Sequence, residues 1–82
     1  MPTNEKIFQD IMSASKDSNI KFRDLQRILE VLGFQYRVKG DHFIYRNKMI
    51  EEIINLQPDG NKAKPYQVKQ VRALISRYKM EV

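Results

Sequence analysis

The period of the hydrophobic pattern changes at Gly33, and this change determines where one helix ends and a sheet begins. Upstream of this glycine, four apolar residues recur at the i, i+3, i+4, i+7 spacing of one helix face: Leu25, Ile28, Leu29 and Leu32. From Phe34 to Val38, apolar and polar residues alternate with the two-residue period of a half-buried strand. Because glycine adopts a left-handed conformation at little cost, a helix can end at Gly33. The sequence therefore predicts a helix over residues 22–32 and strands within residues 34–47.

Gly40 and Asp41 predict a two-residue hairpin turn inside this segment. With that turn, Lys39 lies opposite His42, although a slip of one residue would exchange the two faces of the sheet. One face is apolar and is expected to pack against the helices: Phe34, Tyr36, Val38, Phe43 and Tyr45. The other is cationic and open to solvent: Arg37, Lys39, His42, Ile44 and Arg46. This open face carries the only histidine of the chain and is the candidate working surface.

Three further elements complete the predicted fold. Residues 4–15 form an amphipathic helix, and residues 50–56 form a third strand with Ile50, Ile54 and Leu56 facing the core. Glu52 interrupts the alternation of that strand, which indicates a bulge or an edge position. Pro65 suits the first turn of a last helix, whose apolar stripe is Val71, Leu74, Ile75 and Tyr78. We therefore expect one α+β domain in the order α-α-β-β-β-α, with a three-stranded antiparallel sheet and the helices on one of its faces.

The net charge of +5 lies entirely in the last quarter of the chain. Residues 1–59 hold nine basic and nine acidic side chains, whereas residues 60–82 hold six basic side chains and one acidic. A basic block on an ordered element indicates a polyanionic partner, most often nucleic acid. A solvated, lysine-rich helix face is the alternative, and charge alone does not separate the two.

Composition excludes several classes of chemistry. The chain has no cysteine, so it can form no disulfide, thiolate zinc site or iron–sulfur cluster, and with one histidine any metal site would rest on carboxylates. The sequence contains no glycine-rich phosphate loop, paired-histidine helix or nucleophile elbow, and we predict neither a metal site nor a cofactor. Its apolar stretches are too short to span a membrane, and no export signal is evident, so a cytoplasmic protein is expected.

Two segments resemble the HicA-type (YcfA-like) mRNA interferase toxins of bacterial type II toxin–antitoxin systems. The first runs from the helix end at Leu32-Gly33-Phe34 through residues 39–46, and the second covers residues 56–68. The resemblance spans about residues 20–79, which implies a single HicA-like domain over residues 1–82 with residues 1–19 as an N-terminal helical extension. It implies a fold like that of double-stranded-RNA-binding domains, a metal-independent endoribonuclease that cleaves mRNA, and a HicB-type antitoxin protein as partner.

The resemblance also implies that His42, at the position of the family's Gly-Ser-His histidine, is catalytic. Asp41 stands where the family has serine, and Phe43 stands where a second histidine is often found. The Asp41 carboxylate could repel an RNA phosphate, steady a protonated imidazole, or simply form a good turn. The residues expected to bind RNA are Arg37, Lys39, Gly40 and Arg46 on or beside the sheet face, with Lys62 and Lys64 at the start of the last helix.

RNA carries its own nucleophile, the 2′-hydroxyl, so its cleavage needs only a base, an acid and cations around the phosphate. Histidine is the side chain suited to proton transfer near neutral pH, and the chain has one, so the second proton-transfer group would be lysine, tyrosine or solvent. If Asp41 disables the site, the alternative function is a non-catalytic RNA-binding module of double-stranded-RNA-binding-like fold. A third possibility is a protein-interaction domain whose basic face meets an acidic partner.

Overall fold

Helices and strands follow one another in the predicted α-α-β-β-β-α order. The computed structural model describes residues 3–82, so the first two residues of the predicted N-terminal extension lie outside it. Its elements are α1 (Asn4–Met12), α2 (Phe22–Val31), β1 (Gln35–Lys39), β2 (His42–Arg46), β3 (Ile53–Leu56) and α3 (Pro65–Tyr78), with a short 3₁₀ turn over Asp17–Asn19. The strands form one antiparallel sheet in the order β1-β2-β3. The α+β fold class is confirmed.

The hairpin between β1 and β2 has the predicted register. Lys39 lies opposite His42, Val38 opposite Phe43, and the pairing continues without interruption to the far end of β1. Gly40 in the turn has φ +64°, a left-handed conformation that glycine reaches without the steric cost of a Cβ atom. The turn therefore sets which side chains share each face of the sheet.

The helices cover one face of the sheet, as predicted. Tyr45, Ile54 and Leu56 point towards the helices and are completely buried, whereas His42 and Asn55 on the opposite face are exposed. Most of the remaining core residues belong to α1, α2 and α3: Ile7, Ile11, Phe22, Leu25, Ile28, Leu29, Val68, Val71, Leu74 and Ile75. One face of the sheet is thus left open to solvent.

The prediction that the whole apolar face is covered was wrong for β1. Tyr36 is 44% exposed and Val38 is 54% exposed, although both share a face with buried Tyr45. The reason is that β1 is the outermost strand and all five of its residues are exposed, while the buried positions of the sheet lie on β2 and β3. An apolar strip consequently remains open along the β1 edge.

Three predicted boundaries or contacts also differ. The first helix ends at Met12 rather than at residue 15, because Ala14 adopts a left-handed φ of +62° that a helix cannot continue through. The third strand begins at Ile53 and pairs with β2 in continuous register, so Ile50 lies before the strand and is only half-buried. Tyr78, at the end of the last apolar stripe, is 39% exposed.

Glu52, which indicated a bulge or an edge position, lies just before β3, which is an edge strand and pairs with β2 without a bulge. Its carboxylate accepts hydrogen bonds from the Arg77 guanidinium and, at 3.0 Å, from the Tyr78 hydroxyl. These contacts tie the segment before β3 to the C-terminal end of α3. The charged residue therefore joins two elements instead of distorting a strand.

The N-terminal helix is fixed to α3 by Arg72. The guanidinium donates two hydrogen bonds to the Asp17 carboxylate, at 2.7 and 3.0 Å, and a third at 3.0 Å to the main-chain oxygen of Ile11. The side chains of Arg72 and Asp17 are only 19% and 13% exposed, so this ion pair is poorly screened by water. Helix α1 and the 3₁₀ turn that follows it are therefore an integral part of the folded structure.

Replacing Asp17 with Asn should destabilise the protein by about 1–3 kcal/mol, because a charged hydrogen-bonded partner of Arg72 is lost. Hydrogen bonding to Arg72 lowers the pKa of Asp17 in the folded state. The unfolded chain therefore binds that proton more readily, so the stabilisation is full above the ordinary Asp pKa of about 3.9 and disappears as pH falls through the folded-state value.

Urea denaturation at a series of pH values from neutrality to strongly acidic conditions measures this effect. The free energies of unfolding of the parent and Asp17→Asn should differ at neutral pH and converge on acidification. The matched control is Asp59→Asn, which removes the charge of an exposed carboxylate and should leave the free energy of unfolding nearly unchanged across the range. A difference between parent and Asp17→Asn that stays constant across the range would contradict the assignment.

Candidate functional site

The register of the hairpin brings the predicted sheet-face residues together on the open face. His42 is the first residue of β2, its side chain is 47% exposed, and Lys39 lies directly opposite it. Arg37, opposite Ile44, and Arg46, opposite Gln35, belong to the same face by alternation. The predicted histidine and three predicted cations thus occupy one exposed surface, which we call the cationic face (Arg37, Lys39, His42, Arg46).

A side chain from β3 fixes the orientation of the His42 ring. The His42 Nδ1 atom lies 3.0 Å from the Asn55 Oδ1 atom. Since an amide oxygen only accepts hydrogen bonds, this orientation has Nδ1–H donating to Asn55, which leaves Nε2 as the basic nitrogen of a neutral ring. Asn55 reaches the ring because it pairs with Ile44 and therefore lies on the same open face.

Asp41 lies beside the other nitrogen of the ring. Its Oδ1 atom is 3.7 Å from His42 Nε2, and its Oδ2 atom accepts a 2.7 Å hydrogen bond from Gln57 Nε2. The Asp41 side chain is 70% exposed, so the contact with Gln57 is what orients it. A carboxylate at this place opposes an approaching phosphate through like-charge repulsion.

Lys62 and Lys64 form a second basic group that does not touch His42 in the described residues. Lys62 lies in the loop between β3 and α3, where its main chain exchanges hydrogen bonds of 2.9 and 3.0 Å with Asp59, and Lys64 is the N-cap residue of α3. The loop starts at Gln57, which contacts Asp41, so it leaves from the same end of the sheet as the hairpin turn.

The same end of the molecule also holds the start of α2. The main chain of Lys62 forms an isolated antiparallel β-bridge with that of Lys21, the N-cap residue of α2. The Phe22 main-chain N–H donates to the Asn61 carbonyl at 2.9 Å. Two helix N-termini and their lysines therefore face the end of the sheet that carries His42. The dipole of a helix N-terminus and lysine charges beside it attract phosphate.

Part of the basic C-terminal block is neutralised within the fold. Arg72 pairs with Asp17, and Arg77 pairs with Glu52. Both acidic partners belong to residues 1–59, in which basic and acidic side chains are equal in number. The cations that this block offers to a partner are therefore lysines rather than the arginines of α3.

The tyrosines of the sheet cannot serve as the second proton-transfer group on the cationic face. Tyr36 and Tyr45 pair with one another on the helix side of the sheet, with ring centroids 5.0 Å apart. Burial also raises the pKa of Tyr45 to about 12. Of the lysine, tyrosine and solvent alternatives, Lys39 is the residue that the register places opposite His42.

Asn55 and Gln57 are site residues that sequence reasoning missed. The signal was present, because Ile54 and Leu56 were expected to face the core and their neighbours must then face outward. The β2–β3 register could not be predicted from the sequence. This register sets Asn55 opposite Ile44 and so brings Asn55 within reach of His42.

Fold and site together define a small α+β protein with a histidine on an open, basic sheet face. The family model of the HicA toxin of bacterial toxin–antitoxin systems matches residues 22–76, more than half of the chain. The protein therefore belongs to the HicA toxin family, and membership implies an antitoxin partner. No curated protein and no solved structure matched the chain. The family match begins at the first residue of α2, so α1 lies outside it.

Among residues 3–82, no helix combines the length and the apolar character needed to cross a bilayer.

Removing the Asn55 amide should change the tautomer of His42. In the parent, Asn55 favours the Nδ1–H form of the neutral ring, and in Asn55→Ala that form should become less populated because its acceptor is lost. Nitrogen-15 chemical shifts of the ring, measured at a pH high enough for the ring to be neutral, report the two tautomers directly. The matched control is Asn61→Ala, and equal tautomer populations in parent and Asn55→Ala would show that this contact does not orient the ring.

Proposed function

We propose that this protein is a toxin that cleaves mRNA as a metal-independent endoribonuclease, with His42 as its catalytic residue and a HicB-type antitoxin as its partner. The observation that carries the proposal is the position of His42: half-exposed on the cationic face, with Nδ1 hydrogen-bonded to Asn55 and Nε2 pointing away from that bond, 3.7 Å from Asp41 Oδ1. Membership of the HicA toxin family supplies the biological setting. We also propose that residues 1–82 form one HicA-like domain, with residues 20–79 as its core and residues 1–19 as an extension.

The proposed chemistry uses the nucleophile that RNA itself provides. His42 Nε2 accepts the proton of a ribose 2′-hydroxyl while the 2′-oxygen attacks the adjacent phosphorus. The bond from phosphorus to the 5′-oxygen breaks, and that oxygen takes a proton from Lys39 or from solvent. The products are a 2′,3′-cyclic phosphate and a free 5′-hydroxyl. Arg37, Lys39 and Arg46 neutralise the charge that develops on the phosphate, and the turn at Gly40 lets the RNA backbone approach closely.

His42→Ala should lower the cleavage rate by about 100-fold or more, because general acid–base catalysis contributes about that much. The assay uses purified protein, a labelled mRNA and excess EDTA, with Asn61→Ala as a matched control that should cleave like the parent. RNA affinity, measured in parallel, should change only a few-fold, since the cations remain. Cleavage by His42→Ala at the parent rate would remove this residue from the mechanism.

A second candidate function is a non-catalytic RNA-binding module, and the position of Asp41 favours it. The carboxylate lies 3.7 Å from the nitrogen that would face the scissile phosphate, where its negative charge repels the substrate. In the same assay, this function would give RNA binding without cleavage. Asp41→Ser would then restore cleavage, whereas an active parent that loses rate in Asp41→Ser would assign Asp41 an orienting role.

Lys62 and Lys64 are proposed to bind phosphates of the RNA beyond the cleavage site. Replacing both with Gln should weaken binding of all sequences alike and reduce the slope of log affinity against log salt by about 1.4, since each phosphate contact on single strands contributes about 0.7. Fluorescence anisotropy across a salt series measures this slope. The matched control is the double variant of Lys48→Gln and Lys79→Gln, which has the same net charge but alters the opposite end of the molecule.

An unchanged slope in the Lys62 and Lys64 double variant would place the RNA elsewhere on the surface. An equal reduction in the control would instead show that net charge, and not the position of these lysines, governs binding.

A further inference from the structure

The outer edge of β1 has no strand partner among residues 3–82. β1 is the first strand of the sheet, it holds five residues without proline or a bulge, and all five are exposed. Edge strands are templates for pairing with another chain, and charged side chains such as Arg37 and Lys39 restrict which chains can pair. The other edge, β3, is a residue shorter, and a hydrogen-bonded and salt-bridged segment precedes it.

The register determines which main-chain groups of β1 are free. Lys39 and His42 flank the two-residue turn, and in such a hairpin this pair exchanges hydrogen bonds. Hydrogen-bonded and non-hydrogen-bonded pairs then alternate, so Arg37 bonds to β2 while Tyr36 and Val38 do not. The N–H and C=O groups of Tyr36 and Val38 therefore point away from the sheet, towards solvent.

The same two residues carry the exposed apolar side chains. Tyr36 and Val38 are 44% and 54% exposed, and the Tyr36 ring centroid lies 5.7 Å from that of half-buried Phe43. Beyond Phe43, the apolar surface continues into an open groove between the start of α2 and the loop after β3, which Phe22 and Pro58 also line. This apolar edge (Tyr36, Val38, Phe43) can bury side chains of an added strand.

Positive charge borders the apolar edge on both sides. On the open face of the sheet, Arg37 and Lys39 alternate with the apolar residues. On the helix side, Lys21 and Arg23 line the groove. A strand added at this edge would place its alternate side chains beside Arg37 and Lys39, so acidic residues at those positions would be attracted and basic ones repelled.

We propose that β1 accepts an extended, acidic segment of a partner protein as a fourth strand of the sheet. Acidic residues of that segment would face Arg37 and Lys39, and the residues between them would be apolar and would face Tyr36 and Val38. Main-chain hydrogen bonds to Tyr36 and Val38 provide affinity, and the alternation of side chains provides specificity.

A second copy of this chain fits the edge poorly. The antiparallel register that pairs all five residues of two β1 strands opposes Arg37 of one copy to Arg37 of the other. Like charges directly opposite one another destabilise a strand pair. The cations thus select an acidic partner over self-association.

An added strand would also affect the cationic face. Its acidic side chains would form ion pairs with Arg37 and Lys39, two of the cations proposed to hold the scissile phosphate. They would also repel RNA from the space beside His42. The antitoxin that family membership implies is then a source of the segment. The exclusion of RNA from the cationic face rests on the proposed function, whereas the strand addition itself does not.

The test uses the full chain labelled with nitrogen-15 and a short synthetic peptide in which glutamate and valine alternate over about seven residues. Amide shifts should change along β1, and hydrogen exchange of the Tyr36 and Val38 amides should slow by about tenfold or more at saturation. Affinity should fall with added salt, and a peptide with lysine in place of glutamate should bind at least about tenfold more weakly.

Two sets of variants separate main-chain pairing from charge. Val38→Pro removes an outward N–H without loss to the β1–β2 ladder and should weaken binding by about tenfold, whereas Val38→Thr keeps that N–H and should bind more tightly than Val38→Pro. The double variant of Arg37→Glu and Lys39→Glu should reverse the preference in favour of the lysine peptide. This reversal tests the proposal even if the proline variant does not fold.

Peptide-induced changes confined to another surface, or an unreversed peptide preference in the charge variant, would overturn the proposal. Protection of the Tyr36 and Val38 amides that grows with protein concentration and without peptide would instead assign the edge to a second copy. The assay contains no RNA, so an inactive ribonuclease that still binds the peptide would refute the proposed function and leave the strand addition standing.

Discussion

The two-residue turn at Gly40 and Asp41 is the constraint on which the arrangement of both surfaces depends. Its left-handed glycine sets Lys39 opposite His42, and every later pair of the hairpin follows from that one. A slip of one residue would turn the His42 side chain towards the helices and Phe43 towards solvent. Burying the imidazole would remove it from any substrate, and exposing Phe43 would open the core. Core packing and the position of the histidine therefore demand the same register.

β2 is the central strand, and it joins the core to the cationic face. Tyr45 on one side is fully buried. On the other side, His42 contacts the Asn55 side-chain oxygen from β3 and the Asp41 carboxylate from the turn. The oxygen atoms around the ring come from Asn55 and Asp41, and Gln57 in turn holds Asp41. The site is thus built by three consecutive pieces of an antiparallel meander, without a contribution from the helices to the contacts of the ring.

The sequence predicted those features that depend on short-range alternation. Gly33 and the change of period located the end of α2 and the start of the sheet, and the Gly40-Asp41 turn gave the hairpin register and the membership of each face. The contact between His42 and Asn55 could not be obtained in this way, because it depends on how β3 aligns with β2. The exposure of Tyr36 and Val38 also depends on tertiary structure, since it reflects which strand is at the edge and how far the helix layer extends.

The charge of the last quarter of the chain was the least reliable guide, for a related reason. Arg72 and Arg77 find carboxylates that lie 55 and 25 residues away in sequence, so a count over a segment overstates what the surface presents. Partners distant in sequence are invisible to such a count. Lys64 at the start of α3, by contrast, has no acidic residue in the first turn of its helix, whereas Asp24 lies in the first turn of α2 after Lys21.

The alternation of β1 connects the two proposed binding events. Arg37 and Lys39 project to the open face, where they would meet a phosphate, and the main chain between them presents its free groups to the sheet edge. An acidic strand at that edge and an RNA on the cationic face would both require these two cations. Because each cation is attracted to one anion at a time at short range, the two occupants would compete even though they approach from different directions. Inhibition by an added strand would therefore need no contact with His42 itself.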